Sequence, residues 1–213
     1  MLKDNSHIIR VKRFALTLTL FTIGMSAEAQ RNWPSEMWHE GRIVLVDGDT
    51  LKGLIKYDFQ QDLVQYIVNK KQAEVYTARK VLMFEIFDET VHKYRKFFSL
   101  PYTNTSNYKA PIFFELLEEG KMTLLSRELL EYKTYSSSFY GGSYSRLVQT
   151  YYFYLLKEDG TIEDFRGNKN DLLALMGNKS KDVEKYIRAN RLDFDDKYDV
   201  AKIVAYYNSL MGG

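Results

Sequence analysis

Residues 42–57 read Arg-Ile-Val-Leu-Val-Asp-Gly-Asp-Thr-Leu-Lys-Gly-Leu-Ile-Lys-Tyr. Two runs rich in apolar and β-branched residues, Arg42–Val46 and Leu51–Tyr57, flank Asp47-Gly48-Asp49. A short Asp/Gly spacer between such runs is the signature of a β-hairpin, because glycine accepts the positive φ that tight turns demand. The pattern recurs. Ile112–Leu117 and Met122–Tyr132 flank Glu119-Gly120, and Leu147–Lys157 and Thr161–Phe165 flank Asp159-Gly160. Leu63–Val68, Val81–Asp88 and His92–Leu100 are further strands, and the polar stretch from Pro101 to Pro111 reads as a loop. Three tight turns between consecutive strands, with no long crossovers, predict an antiparallel meander, either an open sheet or a partly open barrel.

After Gly167 the period changes from two to 3.6. Asn168 or Asn170 can cap a helix carrying Leu172, Leu173, Leu175 and Met176, which Gly177 ends. Ser180 can cap a second helix with Val183, Tyr186 and Ile187 as its apolar stripe. Asp196 can cap a third, with Val200, Ile203, Val204, Tyr207 and Leu210 on one side. These stripes need an apolar surface, and the sheet is the nearest. The expected fold class is α+β, an antiparallel sheet followed by three C-terminal helices packed on it. Tyr207 and Leu210 should be buried. Residues 30–167 form the β-rich region and 168–213 the helical region of one structural domain.

The first 29 residues read differently. Arg10, Lys12 and Arg13 precede an apolar stretch from Phe14 to Met25, and Ala27 and Ala29 occupy the small-residue positions of a peptidase site. This is the pattern of a cleavable signal peptide, with Gln30 as the expected new terminus and no membrane span remaining afterwards. The expected location is therefore outside the cytoplasm, in a periplasm or beyond it. Of 30 Lys+Arg and 28 Asp+Glu in the chain, residues 1–29 hold four and two, which leaves 26 of each. A neutral body presents no general field for nucleic acid. With no cysteine, neither disulfides nor thiol chemistry is available.

Gly41–Ile55 resembles the opening of uncharacterised exported α+β proteins of Bacteroidota-type bacteria. Asn170–Gly177, Val183–Ile187 and Ala205–Leu210 are similar to their C-terminal pattern. The resemblance implies an envelope location and carries no activity and no functional residues.

The chemistry-bearing residues nominate no catalytic, cofactor-binding or metal-binding site. His39 and His92 lie far apart and read as surface histidines. No Gly-x-Ser-x-Gly elbow and no phosphate-binding loop occurs. Asp193, Asp195, Asp196 and Asp199 read as a capped helix start, since Tyr198 and Val204 stand where a calcium loop needs Gly and a bidentate acid. Glu115, Glu118 and Glu119 lie where a strand meets a turn and read as solvated acids. In Val91–Phe98, Lys93 and Arg95 share one side and Tyr94 and Lys96 the other, which predicts a half-solvated strand. Tyr151–Leu156 is apolar on both sides and should be covered on both.

The most unusual segment is residues 135–146, in which Tyr135, Phe139, Tyr140 and Tyr144 are set among serines and Gly141-Gly142. Such a mixture of rigid aromatics and pliant small residues suits a contact loop projecting from the sheet. The function expected on these grounds is non-enzymatic: an exported protein that binds or supports another envelope protein or a glycan. Two alternatives remain open. One is a hydrolase of glycans or peptides using unidentified carboxylates. The other is a small-ligand carrier with an aromatic-lined cavity.

Overall fold

In the computed structural model, the described residues are 37–68, 72–103, 108–137 and 141–212. The signal-peptide reading of residues 1–29 and the expected terminus at Gln30 lie outside them. The described chain is a ten-stranded antiparallel sheet, not closed into a barrel, followed by three helices. The strands are β1 (His39–Leu45), β2 (Thr50–Asp58), β3 (Leu63–Val68), β4 (Gln72–Thr77), β5 (Val81–Asp88), β6 (Lys93–Thr103), β7 (Lys109–Glu118), β8 (Thr123–Ser137), β9 (Gly142–Leu156) and β10 (Ile162–Phe165). The helices are α1 (Lys169–Leu175), α2 (Ser180–Asn190) and α3 (Lys197–Leu210).

The sheet order is β10-β9-β8-β7-β6-β5-β1-β2-β3-β4, two meanders joined where β5 pairs with β1. That junction dictates curvature. In a flat sheet β5 and β4 would stand about 19 Å apart, four strand spacings. Yet the link between them is only Ala78–Lys80, and its Cα steps reach about 14 Å at most. The first five strands must therefore curl until their edges approach. The facing glycines Gly41 and Gly53 permit this. A Cβ on Gly41 would lie 2.1 Å from the Glu85 carbonyl oxygen, and one on Gly53 would lie 2.7 Å from that of Ile67. Inside the curl Tyr57, Phe84, Phe97 and Phe113 pack ring against ring at 4.5–5.8 Å, among Ile43, Ile55, Val64 and Val81.

The helices cover the β7–β10 half. Leu172, Leu173, Met176, Val183, Ile187, Val200, Ile203, Val204 and Tyr207 bury against Leu124, with Leu117, Phe153, Leu155 and Phe165 beside them. Asn168 caps α1 in a reciprocal box with Asp171, and Asp196 caps α3 by accepting from the N–H groups of Tyr198 and Asp199. Asn208 holds the β7–β8 turn by bonding both the N–H and the carbonyl of Met122. Leu210 is half-buried rather than buried. Ser180 does not cap: a 3-10 turn, Gly177–Lys179, feeds straight into α2 and satisfies its first N–H groups through the backbone.

Three sequence expectations change. Strand β4 is missing from the reading because it carries little apolar alternation, with Gln72, Glu74 and even Val75 exposed. Of the Pro101–Pro111 segment, residues 101–103 and 109–111 are strand and 104–107 lie outside the described residues, and those two prolines face each other across β6 and β7. They are tolerated because β5 stops pairing at Phe98 and β8 starts at Glu115, so neither proline owes a bond to an outer neighbour. The projecting loop is the third, and its correction bears on function.

Candidate functional site

Two places combine unusual residues with unusual geometry: a buried charge cluster and a two-stranded ribbon. Both involve β8.

The cluster sits on the sheet face that α3 covers. Alternation puts Asp88 of β5, Arg95 of β6, Glu115 of β7 and Glu128 of β8 on this face, between the two apolar cores. Lys197 enters from above, at the first position of α3. All five are buried, Lys197 and Glu115 to 3 % exposure. Arg95 grips Glu115 with two parallel bonds of 2.8 Å, reaches Glu128 at 2.6 Å and donates to Asp88 at 3.0 Å. Lys197 Nζ bridges Glu115 at 2.7 Å and Glu128 at 2.6 Å. The rings of Tyr151 and Tyr198 lie 4.9 and 5.1 Å from the same ammonium. Thr90 completes Asp88 with its N–H and hydroxyl.

Burial alone would raise the Glu115 pKa. The Arg95 and then the Lys197 charges outweigh it and hold the carboxyl down at about 2. Asp88 is likewise lowered, with the Thr90 and Arg95 hydrogen bonds overcoming its burial. Arg95, which burial would favour neutral, is kept charged by Glu115 and Glu128. Tyr151 is pushed up to about 12 by burial and the Glu128 charge. Carboxylates so firmly ionised cannot donate a proton near neutral pH. The cluster's chemistry is mechanical: Lys197 fastens α3 to β7 and β8, and Arg95 ties those strands to Asp88 of β5.

The sequence reading of Glu115 as a solvated acid is thus overturned, while the half-solvated strand stands, with Tyr94 and Lys96 exposed on one side and Arg95 and Phe97 buried on the other. Asp88, Glu128 and Lys197 were not singled out. A signal existed for each cluster member on the sheet and for the lysine. Glu115 falls between Phe113 and Leu117, Arg95 two places from Phe97, and Lys197 three places before Val200 on the apolar stripe. His39, expected at the surface, is also buried, with Nδ1 3.2 Å from the Phe87 carbonyl oxygen. Asp193, Asp196 and Asp199 hold the approach to α3 together, as their reading as a helix start implied. Among the described residues no three His, Asp or Glu side chains converge as metal ligands.

The ribbon starts at Arg127, with Glu128 and Tyr151 at its root shared with the cluster. Strand β7 pairs with β8 only as far as Ser126, while β8 and β9 continue together to the Ser137–Gly142 pair. On the other side β10 covers β9 only from Phe153 onward. Residues 127–137 and 142–152 therefore form a two-stranded ribbon with both outer edges unpaired. This replaces the expected loop at 135–146. Tyr135 and Tyr144 are directly opposed strand residues whose rings stack at 5.6 Å, with the Arg146 guanidinium 4.7 Å from the Tyr135 ring. Thr134 and Ser145 share a hydrogen bond of 2.8 Å. These cross-strand pairs offset the entropy of ordering the glycines, and only Gly141, outside the strands, takes a positive φ of 61°. Phe139 and Tyr140 lie outside the described residues. The structure thus joins Tyr135 and Tyr144 and adds Tyr132, which is 75 % exposed.

No family model, curated protein or solved structure matches this chain. The ribbon and its root must be read from their own chemistry. At the root, along the unpaired edge of β9, lies a cleft of about 620 Å³ lined by Gln149, Tyr151, Phe153, Phe165, Asn168 and Phe194. A broader depression of about 880 Å³ on the opposite sheet face mixes Glu40, Arg42, Lys52 and Glu85 with Phe87 and Tyr94. A smaller one of about 240 Å³ touches the cluster beside Tyr198. No helix among the described residues is long and apolar enough to cross a membrane.

Proposed function

We propose that this chain is an exported binding protein of the bacterial cell envelope, related to the Bacteroidota-type proteins it resembles, and that the β8–β9 ribbon is its contact element. The observation that carries the reading is the ribbon itself. Long unpaired strand edges invite pairing with other chains, and proteins ordinarily cover or blunt them. Here neither edge pairs with another strand, although at the root Arg127 is ion-paired with Asp62 and Leu130 packs on the first core, and the ribbon carries Tyr132, Tyr135 and Tyr144. Tyrosine gives a large rigid contact at small entropic cost. The partner is an envelope protein, with the cleft beside β9 placed to receive an extended segment, or a glycan stacking on the tyrosines. Nucleic acid is disfavoured by the neutral body.

The two other readings have less support. Glu115, the buried acid in the lining of the smallest of these depressions, is ion-paired and held ionised. The interior aromatics that would line a carrier's cavity are packed on each other.

The test is cross-linking in the native envelope. Replacing Tyr135, Phe139, Tyr140 and Tyr144 by serine should remove the cross-links to other proteins or glycans and shift the melting temperature by no more than a few degrees. Unchanged cross-links would refute the assignment of the ribbon.

A further inference from the structure

The outer edge of β8 has a property that its neighbours lack. Its unpaired stretch runs from Arg127 to Ser137, bounded by the start of β7 pairing and by the hairpin end, and its midpoint is Tyr132. Around that midpoint the sequence is self-complementary. In an antiparallel pair centred on Tyr132, Glu131 of one strand stands opposite Lys133 of the other, Leu129 opposite Tyr135, and Leu130 opposite Thr134. The two-fold axis makes every such contact twice. No like charges meet.

Charge on the ribbon also asks for this. Lys133 is directly opposite Arg146 on β9, and like charges in that position repel. Glu131 of a second copy would arrive beside Lys133 on the same face and relieve the repulsion. Its carboxylate is already held over that face by the Tyr152 hydroxyl at 2.6 Å. The outer edge of β9 has no such pattern, since its one charge is Arg146. The sheet's terminal edges are shorter: β10 has four residues and β4 six.

We infer that two copies of this chain associate by antiparallel pairing of their β8 edges about Tyr132, making a four-stranded ribbon β9-β8-β8-β9. The partner of this edge is the chain itself. Both outer β9 edges then stay free, so a dimer presents two contact elements to its envelope partner. The pairing meets the proposed contact element only in sharing Tyr135 with its tyrosines and Lys133 with the lining of the root cleft, and oligomeric state and envelope cross-links are read separately.

The experiment is light scattering with sedimentation on the purified protein and three variants. The unaltered protein should be dimeric at micromolar concentration. Lys133→Glu and Glu131→Lys each place like charges opposite each other twice, and each should weaken the dimer roughly tenfold or more. Mixing these two variants should restore a mixed dimer, because each supplies the charges the other lacks. The double variant E131K/K133E should dimerise alone. Thermal melting checks that each variant is folded, and a variant that is not folded is replaced by its glutamine counterpart. A monomeric unaltered protein, or single variants that dimerise as well as it does, would overturn the inference. Loss of the dimer with envelope cross-links retained would support it and leave the ribbon reading standing.

Discussion

Glu128 and Glu131 belong to one strand and one residue type, and they live in opposite environments. Glu128 is 8 % exposed and locked between Arg95 and Lys197. Glu131 lies three residues further on, past the cluster, half-buried and accepting from the Tyr152 hydroxyl beside the exposed Tyr132 and Lys133. The first half of β8 is therefore a structural element, fastened by charge and covered by α3, and the second half is a display element. The difference teaches that what lies over a residue, Arg95 and Lys197 over Glu128 and neither over Glu131, and not composition, decides what an acid on β8 does. Up to Glu128, beneath Arg95 and Lys197, an acid on this strand must be neutralised, and beyond it the same residue is available to a partner.

The sharpest way to break this comparison is to remove a cation from each half. Arg95→Met leaves three buried carboxylates facing Lys197 alone, and should cost about 3–5 kcal/mol. Lys133→Met, on the ribbon, should stay within about 0.5 kcal/mol. Chemical denaturation of both variants measures the contrast. Equal costs would mean that the cluster contributes nothing that the ribbon does not.

Acid gives a second, smaller separation. The Glu115 carboxyl is depressed to about 2 in the folded chain, against about 4.3 when unfolded. A depressed carboxylate contributes stability that is fully present above the unfolded value and is lost as pH falls toward the folded one. Denaturation midpoints should therefore fall steadily from about pH 5 to about pH 2, where native Glu115 itself begins to protonate. Glu115→Gln should lower stability at pH 7 and flatten the acid decline. A stability that is level down to pH 3 would contradict the assigned ion pairing.

Much of this fold could be read in advance because its signals are local. The Asp-Gly turns, the caps at Asn168 and Asp196 and the stripe from Val200 to Tyr207 depend only on neighbours in sequence. What was not legible depends on contacts between distant segments. Whether Arg95 faces water or three carboxylates is decided by Glu115, Glu128 and Asp88, each from a different strand. The prolines at 101 and 111 read as loop, because nothing local says that their outer neighbours have already turned away. The tyrosine-rich segment looked like a loop for its glycines. The stacking of Tyr135 on Tyr144 that holds it as a strand pair is visible only once the register is known.

The division of β8 is tested most directly by shortening the ribbon. Residues 133–146 can be replaced by Asn-Gly, joining Tyr132 to Leu147, which already face each other across the hairpin. Thermal unfolding of this variant should be cooperative, with a midpoint within a few degrees of the unaltered protein, because the helices, the charge cluster and both cores are untouched. Loss of cooperative unfolding, or a midpoint lowered by more than about 10 °C, would show that the ribbon belongs to the core and would contradict the account.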